Sequence, residues 1–418
     1  MKNQKFDLNF KLVLISKTIS VFGGNILGFA MILFLVDFTQ SAALLGMISA
    51  ISQAPMIVVT PIAGMIVDRM DKKKLIVIFD VITALSNLIF LWLLITESYT
   101  ILNITLLRMI KMSISTFAVT AFNASVPLIV EKDQLVGANG ILQSIAALGL
   151  IGGSVVGGIL FGVIDIETIT LASGILFLAS ATISVCIKIP HEKRQLSGTI
   201  IEIVKTDMLE SLKFLKNKKP IIFKIALIAS TIIFLFPPIF NVGLPFIVDM
   251  IFNRQVTLSY GIASFGMLVG GVCAGSLTKQ LAIKHLPKWV LAIGTAGGLL
   301  ALAFIPFMSN TTLSFWLFNI TLALTLFLFT LLNSSFGAFI QQEVPVHLLG
   351  KINSLVRVVF LIIEPLGLVI IGLLIENTPL PLFFTSVAIV TWIVAIICHL
   401  TLKNYFKCLV ITTNKAVN

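Results

Sequence analysis

Apolar runs as long as a bilayer is thick recur along this chain and leave few folds open to it. They fall at roughly 11–36, 42–67, 75–95, 100–126, 137–162, 168–188, 221–248, 258–281, 288–308, 312–338, 349–374 and 381–402. A helix crossing ~30 Å of hydrocarbon needs about 20 mainly apolar residues, and each run supplies that length. Hydrophobic residues make up 58% of the chain and the mean hydropathy is +1.08, more apolar surface than a soluble core can hide. In lipid each segment must satisfy its own backbone polar groups, so the runs are expected to be helices. The sequence predicts an all-α membrane protein with twelve transmembrane helices in two six-helix bundles. Lys17 interrupts the first run and no A-x-A-like site follows it, so that run reads as a retained span rather than a cleaved signal.

The net charge of +11 does not come from one basic patch, which argues against a nucleic-acid partner. The bases alternate by turn instead. With the N-terminus placed in the cytoplasm, the inner segments hold Lys2, Lys5, Lys11, Arg69, Lys72 to Lys74, Lys132 and the run from Lys193 to Lys219. Further along they hold Lys279, Lys284, Lys288, Lys351, Lys403, Lys407 and Lys415. The outer turns hold Asp37, Glu97, Asp165, Glu167, Asp249 and Glu376, with Arg254 the sole base. This positive-inside asymmetry places the chain in the cytoplasmic membrane with both termini inside.

Chemistry that needs a cluster of residues finds none. Cys186, Cys273, Cys398 and Cys408 have no C-x-x-C spacing, and His191, His285, His347 and His399 are scattered. No metal, cofactor or nucleophile is expected, and the chain does not read as an enzyme.

One connection is long. "HEKRQLSGTIIEIVKTDMLESLKFLKNKK" divides the chain into a bundle at 1–190, a linker at 191–219, a bundle at 220–403 and a tail at 404–418. Ile201, Val204, Met208, Leu212 and Leu215 recur there at helical spacing with lysines between them. That pattern predicts a basic amphipathic helix on the anionic lipids of the inner leaflet, in preference to an unstructured linker. The halves also echo each other. "AGMIVD" ends the second span and "AGSLTK" the eighth, while "VPLIVEKDQLVGAN" and "VPVHLLGKIN" lead into the fifth and eleventh. Two such repeats predict a binding site near the midplane between the halves.

The stretch "AGMIVDRMDKKKLIV" packs six charges between Asp68 and Lys74. Gly64, Asp68, Arg69, Lys72, Lys73 and Lys74 resemble the loop motif G-x-x-x-D-R-x-G-[RK]-[RK] of the major facilitator superfamily, with Asp71 where that family usually has Gly. The resemblance covers essentially the whole chain and implies a proton-coupled transporter working by alternating access. It implies that Asp68 and Arg69 latch against the eleventh span, whose helix N-terminus would favour a carboxylate. A topology anchor explains the three lysines but not the two acids. In "GILQSIAALGLIGGSVVGG", Gly140, Gly149, Gly153, Gly157 and Gly158 keep the spacing of the family's antiporter motif, with Ser154 replacing its Pro. The likeness implies export, and is closest in flavour to the branch holding macrolide-efflux proteins and the enterobactin exporter. Ordinary small-residue helix packing is the alternative for these glycines.

Ionisable residues within spans cost roughly 2.5–3.5 kcal/mol each, so each is a candidate site. They include Lys17, Asp80, Arg108, Lys111, Arg357 and Glu364. Lys17 and Asp80 lie near span ends and can snorkel. Arg108 falls where the family's fourth-span motif carries an Arg implicated in proton relay. Arg108 and Lys111, three apart, share a helix face and would repel unless an anion visits. Glu364 is the proton-coupling candidate, with a structural ion pair as its alternative. Asn25, Gln53, Asn123, Gln143, Asn241 and Asn333 are candidates to line the cavity with Arg108, Lys111 and Arg357. Pro237, Pro238, Gly243 and Pro245 predict a broken, gating seventh span. The favoured solute is an anionic metabolite such as a carboxylate siderophore, carried by a monomer in exchange for protons. A macrolide-like drug is the alternative, and a lipid flippase or a membrane sensor or scaffold ranks below it.

Overall fold

The computed structural model describes residues 7–131, 134–190, 212–216, 220–252, 256–276, 312–344 and 346–417, and its regular elements are all helices. In chain order they are α1 (Leu8–Thr39), α2 (Ala42–Arg69), α3 (Lys72–Ile95), α4 (Ile101–Ile129), α5 (Leu135–Val163) and α6 (Ile166–Cys186). Then come α7 (Pro220–Pro238), a π-helical turn (Ile239–Gly243), α8 (Leu244–Phe252), α9 (Val256–Ser276), α10 (Thr312–Glu343), α11 (Val346–Asn377) and α12 (Leu380–Val417). Among the described residues nine helices are long and apolar enough to cross a membrane, and the shorter apolar stretches Leu258–Gly271 and Phe315–Leu331 fall in the eighth and tenth spans. The ninth expected span, 288–308, lies outside the described residues. The chain is an all-α, multi-pass membrane protein. Its last helix continues past the expected end of the twelfth span.

Short polar residues set the helix starts. Asp7, Ser41 and Asp165 each cap a first turn with a side-chain oxygen, and Thr100 and Asn103 form a reciprocal capping box. Asp71 accepts from the amides of Lys73 at 3.0 Å and Lys74 at 3.3 Å, so it starts α3.

The chain divides into two compact units, Met1–Val204 and Lys205–Asn418. In the first, α1 packs on α5 and α6, α3 on α6 and α4, and α2 on α4. In the second, α7 packs on α11 and α9 on α10. Counted by span, the first–fifth and second–fourth pairings of one unit recur as seventh–eleventh and eighth–tenth in the other. The α1–α5 contact is made through glycine. A Cβ on Gly149 would overlap Val21, one on Gly153 would overlap Asn25, and one on Gly157 would meet the Ile26 carbonyl. In the second unit Gly367 of α11 lies as close to the Phe234 carbonyl of α7, and Gly266 and Gly270 of α9 to the backbone of α10. Such contacts let helices approach where lipid offers no hydrophobic drive.

The seventh span is not broken. Its helix passes through the π turn, where the Leu244 amide bonds back to Ile239 O. Pro245 has no N–H to offer the next carbonyl, that of Phe240. The Tyr260 hydroxyl donates to Phe240 O instead, at 2.7 Å. In the linker, Ile201, Val204 and Met208 lie outside the described residues, and Leu212 is exposed. Leu215 is buried against Ile221, Ile222 and Ile352 of the second unit, so it faces protein rather than lipid.

Candidate functional site

Inside the first unit, polar side chains from four helices meet in two places. The first joins α1, α3 and α6. Asp80 is 3% exposed and accepts a hydrogen bond from Ser180 Oγ at 2.7 Å. Ser180 Oγ lies 2.9 Å from Ser16 Oγ, which lies 2.7 Å from Ser184 Oγ. Lys17, next to Ser16, holds its ammonium 4.6 Å from the Phe122 ring centroid, within reach of a cation–π attraction. Its charge acts on that of Asp80. The expectation that Asp80 can snorkel to the surface therefore fails, because the carboxyl is buried and takes its hydrogen bond from Ser180 within the bundle.

The second place joins α4, α3, α6 and α1. Lys111 Nζ donates to Asn87 Oδ1 at 2.8 Å, and Asn87 Nδ2 donates to Ser173 Oγ at 3.1 Å. Ser173 Oγ donates in turn to Gly23 O at 2.9 Å. Arg108 stands one turn before Lys111 on α4, and its Nε is buried without a hydrogen-bond partner among the described residues. The charge that acts on Lys111 is the like charge of Arg108. Lys111 thus has one neutral acceptor, and the pair can receive an anion.

The other sequence candidates are dispersed. Asn25 bonds its own helix at Val21 O, 2.8 Å away, and packs on Gly149 and Gly153. Gln53 is half-buried, while Asn123 and Gln143 are exposed. In the second unit Asn241 sits in the π turn and is half-buried, as is Glu364 on α11, and Arg357 is exposed. The side chain of Asn333 lies outside the described residues. Among the glycine-motif positions, Gly140 faces open space, Gly158 is buried, and the buried Ser154 hydroxyl donates to Ile151 O at 2.9 Å. In the loop, Gly64 also has free space around it, and Lys72 is buried. Arg69 and Lys73 are half-buried and Lys74 is exposed. The side chain of Asp68 lies outside the described residues. Sequence reasoning missed Asn87 and the serines. Ser173, Ser180 and Ser184 repeat at helical spacing on α6, and that polar stripe was the available signal.

Membrane-spanning helices in two units with matching internal pairings define a transporter built from repeats. The chain belongs to the Major Facilitator Superfamily, whose sequence profile matches residues 13–368. It is a transporter and not an enzyme. It is 25% identical over 405 residues to macrolide efflux protein A of Streptococcus pyogenes, covering 95% of this chain and 96% of that one. Macrolide efflux protein A of Enterococcus faecalis is 26% identical over 336 residues, 78% of this chain and 99% of the relative. An uncharacterised transporter of the same type from Bacillus subtilis is 23% identical, with 95% and 91% covered. Among solved structures, a nucleoside transporter superposes with a TM-score of 0.76 at 12% identity, over 95% of this chain and all (100%) of that one. An inward-facing bacterial homologue of the iron transporter ferroportin gives 0.69 at 15% identity, with 96% and 99% covered. These structures share the fold.

Proposed function

We propose that the protein exports a small organic solute carrying an anionic group across the cytoplasmic membrane, in exchange for protons and by alternating access. The observation that carries this reading is the Arg108–Lys111 pair, whose described partners include a neutral amide and no acid. Two half-buried cations on one helix face are costly unless an anion relieves them. The glycine face of α5 on α1 supports export through its likeness to the antiporter motif, and an inside-negative potential favours outward movement of an anion. A carboxylate siderophore has the required chemistry. On this reading the chain is a monomer with both termini in the cytoplasm, Glu364 takes part in proton coupling, and Asp68 and Arg69 act as the latch. The linker adds a contact with anionic lipids.

A second reading, efflux of a macrolide-like drug, is favoured by the relatives that align over nearly the full chain. Flux in inverted vesicles driven by a proton gradient separates the two. Arg108→Gln and Lys111→Gln should each weaken uptake of a carboxylate solute more than that of a neutral macrolide. Equal carboxylate transport by both variants and the wild type would sink the anionic-solute reading and leave the drug reading standing.

A further inference from the structure

We infer that Asp80 is a proton-binding site within the first unit, and that its protonation reverses a chain of hydroxyls tying α3 to α6 and α1. The inference deepens the export reading, on which its purpose rests, by naming a carboxyl that takes up the exchanged proton.

Three observations support it. The Asp80 carboxyl is buried among helices and accepts a hydrogen bond from the Ser180 hydroxyl. A carboxylate only accepts hydrogen bonds, whereas a carboxylic acid also donates one. With Asp80 ionised, Ser180 gives its hydrogen to Oδ2, and Ser180 Oγ is left to accept from Ser16. With Asp80 protonated, the carboxyl donates to Ser180 Oγ. The Ser180 hydrogen must then turn to a Ser16 acceptor, and the Ser16 carbonyl already stands 3.1 Å from Ser180 Oγ. The Ser16 hydrogen can in turn point to Ser184 Oγ, 2.7 Å away. Each serine keeps one hydrogen, and each hydroxyl keeps a partner in both states.

Charge is the third observation. Lys17 is the charged group that acts on Asp80 from α1, and Phe122 of α4 lies beneath its ammonium. From α6, Ser180 and Ser184 face the cluster and are neutral. Arg108 and Lys111 also project from α4, but Lys111 is bound to Asn87, two helical turns along α3 from Asp80. One proton added to the Asp80 carboxylate takes the Asp80–Lys17 cluster from net zero to a single positive charge. Lys17 then loses its counter-charge inside the bundle, which favours a rearrangement around α1 or release of the Lys17 proton. Glu364 lies in the other unit, so each unit would hold one acidic group within its spans.

The test needs no solute. Infrared difference spectra of the full-length protein in lipid, recorded while the pH is lowered, should show the C=O stretch of a buried protonated carboxyl growing in. Asp80→Asn should remove that band, and Asp71→Asn should keep it. Ser180→Ala leaves the carboxyl in place and should move the band's frequency, while Lys17→Gln should displace its pH midpoint. The variants are compared only where size exclusion shows a folded monodisperse protein, and Ser180→Ala carries the test if Asp80→Asn does not fold. A band unchanged by Asp80→Asn or by Ser180→Ala, or no band at all, overturns the inference. A titrating Asp80 band together with absent proton-driven flux would instead sink the export reading and leave the proton site standing.

Discussion

Replacing Gly157 by alanine should loosen the first unit, and the neighbouring atoms set the size of the effect. The new Cβ would lie 2.5 Å from Ile26 O and 3.2 Å from Ile26 C and Cα, where ordinary contact begins at 3.4 Å. Backbone atoms cannot swing aside as a side chain can, so α1 and α5 must part by close to an ångström. Overpacking of this kind costs about 1–3 kcal/mol. Alanine returns roughly 1 kcal/mol through helix propensity, and Gly140→Ala should show that gain alone, since no atom lies within 4 Å of its Cβ. The difference between the two variants is therefore free of propensity and should be about 1–3 kcal/mol, roughly 5- to 150-fold in the unfolding equilibrium. Unfolding of each purified variant in mixed micelles of rising denaturing-detergent content measures it. Equal midpoints for Gly157→Ala and Gly140→Ala would refute the close approach.

Asp71→Ala removes the acceptor for two α3 amides and should lower stability by about 0.5–2 kcal/mol, whereas Asp71→Gly should cost only a few tenths more than the native cap, both read in the same unfolding assay. Tyr260→Phe leaves the Phe240 carbonyl without its hydroxyl and should cost about 1–3 kcal/mol, measured by thermal unfolding. Asp165 caps α6 outside the span, and hydrogen bonds from Thr168 hold its carboxyl below the usual carboxylate range. Its stabilisation should be complete above pH ~4 and fade as the pH falls through the lower folded value. Asp165→Asn should flatten that part of the stability–pH curve, and an unchanged acid limb would count against the cap.

The spans were legible because a bilayer demands long apolar helices whatever their tertiary partners. The shared face of Arg108 and Lys111 was legible too, since a spacing of three positions on one helix fixes it. The partners of those groups were not. Asn87 meets Ser173 from 86 positions away, and only the stacking of α3 on α6 brings them together. Asp80 misled for the same reason, because closeness to a helix end in sequence says little about depth once α1 and α6 cover that end. The seventh span shows local chemistry overridden: its prolines read as a break, but a wider turn and one tyrosine from the next span absorb Pro245 and the helix runs on.

Glycine-to-backbone contacts have a consequence for how such a chain can diverge. At Gly157 of the α1–α5 seam and Gly367 of the α7–α11 seam, a small residue on one helix meets a peptide carbonyl on the other, and every residue type provides a carbonyl. The side chains of Ile26 and Phe234, whose carbonyls face these two glycines, are therefore only weakly constrained by that contact. A duplicated bundle can keep its helix order and crossing contacts while almost every other position drifts. That accounts for two halves that share an arrangement of helices but retain only faint echoes such as "AGMIVD" and "AGSLTK".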